Sequence, residues 1–255
     1  MEEFDVIKIK DGVREHGKSP VTEEVPLTIE VNGAEAATLL SSPTALDELV
    51  IGFLFTSGLI AKASDILSLT IDTQRWKASV DIADSGLPEG IAFKRIYTSG
   101  CGKGLIFHSA IDLMQRIQLP AGFSAKAEHI EALTQEFRRI STEYRETSGV
   151  HSAALADAEK IIVVRDDIGR HNALDKIIGR ALMDRILLND KIILTSGRIS
   201  SEIITKVVRS GATVLASAKA PTNQAIRYAL QTNLTVAGFV RSGKMSVYSG
   251  AERIA

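Results

Sequence analysis

KIILTSGRISSEIITKVVRSGATVLASAKAPTNQAIRYALQTNLTVAGFV, residues 191–240, decides the fold. Lys191 to Thr195, Thr213 to Ser217 and Thr235 to Val240 are short apolar runs bounded by turn residues. Between them, Ser201 to Arg209 and Asn223 to Gln231 carry helical spacing. Continuous apolar strands joined by helices indicate a buried, mostly parallel sheet. Downstream, Ser242-Gly243 turns the chain into a last strand, Met245 to Tyr248. Upstream, strands at Ser152 to Ala156 and Ile161 to Arg165 flank Asp157. Both ends of the sheet therefore read as antiparallel hairpins. A helix is expected over Asn172 to Arg185. Ile130, Leu133, Phe137, Ile140 and Tyr144 form one apolar stripe on a single long helix.

Pro120-Ala121-Gly122 breaks the pattern and marks a boundary between two domains, 1–120 and 121–255. The first reads as a small α+β unit. Glu24 to Val31 alternates, meets the hairpin signal Asn32-Gly33, and pairs with Ala36 to Leu40. Ser42-Pro43-Thr44 opens a helix through Phe55, and Gly58 ends it. Further strands are expected at Ser68 to Asp72, Lys77 to Ile82 and Ile91 to Tyr97, and a helix at Leu105 to Ile117. The 255 residues are 45% hydrophobic and 24% charged, enough to build a real core. Thirty basic residues against 31 acidic ones give no global attraction to nucleic acid or a membrane surface. The longest apolar runs are too short to span a bilayer, and Met1-Glu2-Glu3-Phe4-Asp5 lacks a signal-peptide pattern. The expected location is the cytoplasm. One cysteine excludes an internal disulfide and any multi-cysteine zinc site. No metal of the protein's own is expected.

That cysteine, Cys101, stands in Thr98-Ser99-Gly100-Cys101-Gly102-Lys103-Gly104. Glycines strip away cover, while Lys103 and the start of a following helix favour the thiolate. The alternative is a small buried residue. His108 could assist from that helix. Three polar strand ends side by side could line one ligand cleft. Asp167 and His171 lie in Val164 to Asn172, where they could act as acid and base, bind a metal, or merely cap a helix. Ser196 and Arg198 lie in Thr195 to Ser201, a hydroxyl-rich helix entry suited to an anion. Lys219 repeats the theme in Ser217 to Thr222. Phe239, Val240, Arg241, Ser242, Gly243 and Lys244 combine an aromatic ring, two cations and a tight turn; the alternative is a solvated hairpin. His151 either faces the same cleft or satisfies the core. Dinucleotide, phosphate-loop, nucleophile-elbow and zinc-deaminase signatures are absent.

Taken together, 98–104, 149–154, 166–175, 195–202, 217–221 and 237–244 resemble the formate dehydrogenase accessory sulfurtransferases, the FdhD family of sulfur carriers. The resemblance implies a second domain similar to cytidine deaminase, a three-layer α/β/α unit with a mixed sheet and no zinc. It implies that a cysteine desulfurase loads Cys101 as a persulfide. The sulfur then passes to the molybdenum cofactor, bis-molybdopterin guanine dinucleotide, on behalf of a molybdenum formate dehydrogenase. Phe239 to Lys244 match the cofactor-binding segment, and GDP would serve as an analogue. A homodimer is plausible for such a sheet. Many members carry Cys-x-x-Cys in the loop, whereas this chain has Gly104, so one sulfur must suffice. Two rivals stand beside this reading: a non-catalytic cofactor-binding chaperone, and a deaminase-like hydrolase using Asp167 and His171.

Overall fold

A computed structural model describes residues 1–83, the backbone of 97–98, and residues 117–255. The chain opens with a ribbon of two nine-residue strands, β1 (Glu2–Lys10) and β2 (Val13–Val21), joined at Asp11-Gly12. No expectation covered this hairpin. Both turn residues have positive φ, 50° and 82°, the geometry that suits Asp-Gly.

The second sheet runs β5-β6-β3-β4-β7. Its members are β3 (Val25–Val31), β4 (Ala34–Ser41), β5 (Ile66–Asp72), β6 (Lys77–Ile82) and β7 (Tyr97–Thr98). Asn32-Gly33 makes the expected turn, with φ of 49° and 79°. Of the expected strand Ile91 to Tyr97, only its last residue is described; the expected helix from Leu105 likewise lies outside the described residues up to Ile117. Helix α1 (Leu46–Ser57) covers this sheet through Leu46, Leu49, Val50, Phe53 and Leu54. Gly58 ends it in the left-handed region, as expected. Its start differs. Ala45, with φ 50°, precedes the first turn and gives no side-chain cap. Ser42 is drawn away instead: its N–H donates to Asp167 at 3.1 Å, and its hydroxyl accepts from the Ile168 N–H at 3.2 Å.

The third sheet has the order β13-β12-β11-β10-β8-β9. Strands β8 (His151–Ala156) and β9 (Ile161–Asp167) form one antiparallel hairpin, and β12 (Thr235–Arg241) and β13 (Lys244–Ser249) the other. Between them β10 (Ile192–Thr195), β11 (Val214–Ser217) and β12 run parallel. Strand β8 pairs antiparallel to β10, so the sheet is mixed. Alternate side chains serve opposite faces. Leu155, Ile193, Leu215 and Val236 pack under α4 (Arg170–Met183), α5 (Ser201–Ser210) and α6 (Asn223–Thr232). Ala154, Ile192, Leu194 and Val214 pack under α2 (Ala127–Ile140) through Ile130, Leu133 and Phe137. Burial on both sides is why these strands read as unbroken apolar runs.

The long helix expected through Tyr144 is two. Ser141 leaves the helical region at ψ 100° and caps α3 (Thr142–Thr147), accepting from the Tyr144 N–H at 3.3 Å while its hydroxyl donates to Asp166 at 2.8 Å. Ordering Ser141 between two partners outweighs continuing the helix. No helix among the described residues is long and apolar enough to cross a membrane.

Helices α1 and α4 cross at two glycines and join the second and third sheets. A Cβ on Gly52 would lie 1.9 Å from the Asp175 carbonyl oxygen, and one on Gly179 would lie 1.9 Å from that of Glu48. Polar pairs seal the seam. Arg165 grips buried Glu48 at 2.5 and 2.6 Å, and Thr56 donates to Asp175 at 2.7 Å. Lys206 also meets Asp175, at 2.6 Å.

Candidate functional site

The parallel strands β10, β11 and β12 end on one edge of the third sheet, the edge where open α/β sheets place ligands. There a cavity of about 240 Å³ opens between the strand ends and the α2–α3 corner. Ser152, Thr195 and Ser196 contribute from β8 and β10, Ala218 and Lys219 from the loop after β11, and Arg241 from the end of β12. Thr134, Phe137 and Arg138 of α2, with Ser141 and Tyr144, form the other wall.

Hydroxyls fix the floor. Ser152 donates its hydroxyl to Ser141 at 3.1 Å and its N–H to the Ser196 hydroxyl at 2.9 Å. The Ser196 N–H returns to the Ser152 carbonyl at 3.0 Å. His151 Nδ1 lies 3.3 Å from the Ser196 hydroxyl. Burial, then the charges of Arg170 and Lys219, lower the His151 pKa against the opposing pull of Asp167. The ring is therefore neutral at pH 7. The rim carries the charge. Arg138, Lys219 and Arg241 are exposed, and none forms an ion pair among the described residues. Among the described residues, no carboxylate lines the cavity.

The 239–244 segment divides. Phe239 is exposed and sits at φ 53°, a rare conformation for an aromatic residue. A bulge between Gly238 and Arg241 produces it, and the Phe239 N–H donates to the Lys219 carbonyl at 3.2 Å. Gly238 permits this approach, since a Cβ there would stand 3.1 Å from the same carbonyl oxygen. Phe239 itself does not line the cavity. Val240 departs from the expectation: it is fully buried in the core beneath α2 and presents no side chain to a ligand. Ser242, Gly243 and Lys244 are exposed at the turn, where the Gly243 N–H donates to Glu131 at 2.9 Å, and they do not line the cavity. Arg198 is exposed and also lies outside the lining.

Asp167 and His171 are not brought to the cavity either. Asp167 is fully buried and paired with fully buried Lys176 at 2.7 Å. It also accepts from the N–H groups of Ser42 and Gly169 and from the Asn172 amide. This carboxylate is a latch between the two larger sheets, with no free lone pair to abstract a proton, which removes it from the hydrolase reading. Burial, followed by the charges of Lys206, Arg170 and His151, pushes the His171 pKa down to about 3. Its 3.3 Å contact with Glu202 is thus a neutral Nε2–H donating to a carboxylate. Among the described residues, no cluster of three or more His, Cys, Asp or Glu is arranged to hold a metal. Cys101, Lys103, Gly104 and His108 lie outside the described residues. Thr98, at the end of β7, is the last described residue before them.

Arg138, Ser141, Tyr144 and Ser152 were not anticipated at the site. Arg138 follows Phe137 on the flank of the apolar stripe, and only the packing of α2 over the strand ends places it at the cavity.

The sequence profile of the FdhD/NarQ family matches residues 22–255. A protein of Geobacillus kaustophilus named sulfur carrier protein FdhD is 40% identical over 250 residues, covering 98% of this chain and 95% of its own. Its namesake in Bacillus subtilis is 38% identical over 251 residues, covering 98% and 96%. A crystal structure from Desulfotalea psychrophila, described as a candidate formate dehydrogenase accessory protein, superposes with a TM-score of 0.82 at 24% identity. That match covers 100% of this chain and 99% of the other, and it supports the fold.

Proposed function

Because the chain belongs to the FdhD/NarQ family, we propose that it is a sulfur carrier serving a molybdenum-dependent formate dehydrogenase. Cys101 takes sulfane sulfur from a cysteine desulfurase. Its thiolate attacks the outer sulfur of the donor persulfide, a new S–S bond forms, and the donor cysteine leaves as thiolate. In the second step an electron-pair donor on bis-molybdopterin guanine dinucleotide, the substrate of the carrier, takes the outer sulfur, the S–S bond breaks, and Cys101 leaves as thiolate. The reading takes the six-stranded unit as a cytidine-deaminase-like fold that has given up zinc chemistry for nucleotide binding. Lys219 and Arg241 neutralise cofactor phosphates, and Phe239 offers a ring face beside them. Gly104 leaves no second loop thiol, so loading and release both run through one sulfur.

The observation that carries the cofactor half is the cavity itself: among the described residues, unpaired cations on a hydroxyl floor with no carboxylate in the lining, at the ends of parallel strands. Family membership carries the sulfur half. The test is mass spectrometry after incubation with a cysteine desulfurase and ³⁵S- or ³⁴S-labelled cysteine. One added sulfur on Cys101, absent from Cys101→Ala, is expected. Wild-type protein that gains no sulfur rejects the carrier role. Cys101→Ala that still supports formate dehydrogenase activity leaves a cofactor chaperone.

A further inference from the structure

We propose that Arg138, outside the 239–244 segment, is a third phosphate-binding residue, and that the cavity clamps the diphosphate of a single nucleotide arm. The proposal rests on the nucleotide reading given above. Three observations support it. Arg138, Lys219 and Arg241 reach one cavity from three separate elements: a helix, the loop after β11 and the end of β12. None has an ionic partner among the described residues, and the lining holds no carboxylate to offset them. Three such cations suit a diphosphate, since each adds a charge-assisted bond to a phosphoryl oxygen. The cavity is also small. At about 240 Å³ it falls below the roughly 300–1,000 Å³ typical of sites that enclose a drug-sized ligand. It therefore encloses one arm of a two-armed ligand and leaves the remainder over the open edge beside Phe239.

Arg138 also stands in the last turn of α2, where a cation complements the helix dipole. Arg139 stands in the same turn and is equally exposed, but does not line the cavity. It is the matched control, because its loss removes the same charge and the same dipole interaction.

The experiment is calorimetric titration of the full chain with GDP, inorganic pyrophosphate and guanosine. Wild type, Arg138→Gln, Arg138→Lys and Arg139→Gln are compared, with thermal unfolding to confirm each fold. Loss of one charge-assisted contact should weaken GDP and pyrophosphate in Arg138→Gln by about tenfold or more. Arg138→Lys should fall between it and wild type, because lysine keeps the charge and loses the planar fork. Arg139→Gln should bind like wild type, and guanosine should not distinguish the variants. Arg138→Gln that matches Arg139→Gln on both anions overturns the proposal. Wild type that takes pyrophosphate but not GDP would keep the clamp and reject the nucleotide reading. Wild type that takes neither rejects both.

Discussion

Replacing Gly179 by alanine sets two known effects against each other, and the α1–α4 crossing decides the winner. In an isolated helix the change is favourable by about 1 kcal/mol, since alanine loses less backbone entropy. Here the new Cβ would meet the Glu48 carbonyl oxygen at 1.9 Å, the Glu48 carbonyl carbon at 2.8 Å and the Gly52 nitrogen at 2.9 Å. Ordinary contact begins near 3.4 Å, so the helices must part by about 1.5 Å. All three atoms are backbone and cannot rotate away. Overpacking of this kind costs about 1–3 kcal/mol. Parting the helices also stretches the Glu48–Arg165 pair, now 2.5 Å, and the Thr56–Asp175 bond, now 2.7 Å. Charged hydrogen bonds contribute about 1.5–3 kcal/mol when intact. The net expectation is a loss of about 3 kcal/mol. Urea unfolding followed by circular dichroism measures it. Gly17→Ala is the control, because its methyl would meet only the flexible Lys8 side chain, at 3.6 Å. It should stay within about 0.5 kcal/mol of wild type. Gly179→Ala that matches or exceeds wild type would mean the crossing yields, and the close approach would lose its claim to hold the sheets together.

His171 should make stability depend on pH. Its folded pKa of about 3 lies below the ordinary imidazole value of 6.5, so between these values the unfolded chain binds the extra proton. Its contribution is complete above pH 6.5 and falls by about 1.4 kcal/mol per unit as the pH drops toward 3. Urea unfolding at pH 7 and pH 5 should show a smaller acid loss in His171→Asn; equal losses would refute the assignment. Lys176→Met should cost about 3–5 kcal/mol by stranding the buried Asp167 charge, and a loss under about 1 kcal/mol in chemical denaturation would contradict the latch. Phe239→Gly should separate stability from binding. Relief of the positive φ should stabilise the fold by about 1 kcal/mol, read as a higher urea midpoint, while removal of the ring weakens GDP in titration. A variant unchanged in both would leave the strained ring without a role.

What could be read in advance follows from the range of the forces involved. The parallel strands were legible because burial on both faces writes an uninterrupted apolar run into each segment. Asn32-Gly33 was legible because its turn needs only two local residues. Asp11-Gly12 carries the same signal, but its flanking strands are exposed along most of their length and write no buried alternating pattern. The break at Ser141 was hidden because Ile140 and Tyr144 keep helical spacing across it. What splits the helix is Asp166, a residue on β9 that no local pattern connects to Ser141. Asp167 misled for a related reason. A carboxylate at a strand end looks like a ligand group until Lys176 is seen buried against it. The site divides along the same line. The thiolate expected at Cys101 rests on neighbours up to two residues away and needs no fold. The cationic rim cannot be argued that way. Arg138 and Arg241 lie on elements about a hundred residues apart, and neither has flanks that single it out as a partner of the other. Only the placement of α2 over the ends of β10, β11 and β12 sets them around one cavity. The proposed reactivity of Cys101 thus rests on local sequence, whereas the proposed recognition of the acceptor rests on topology.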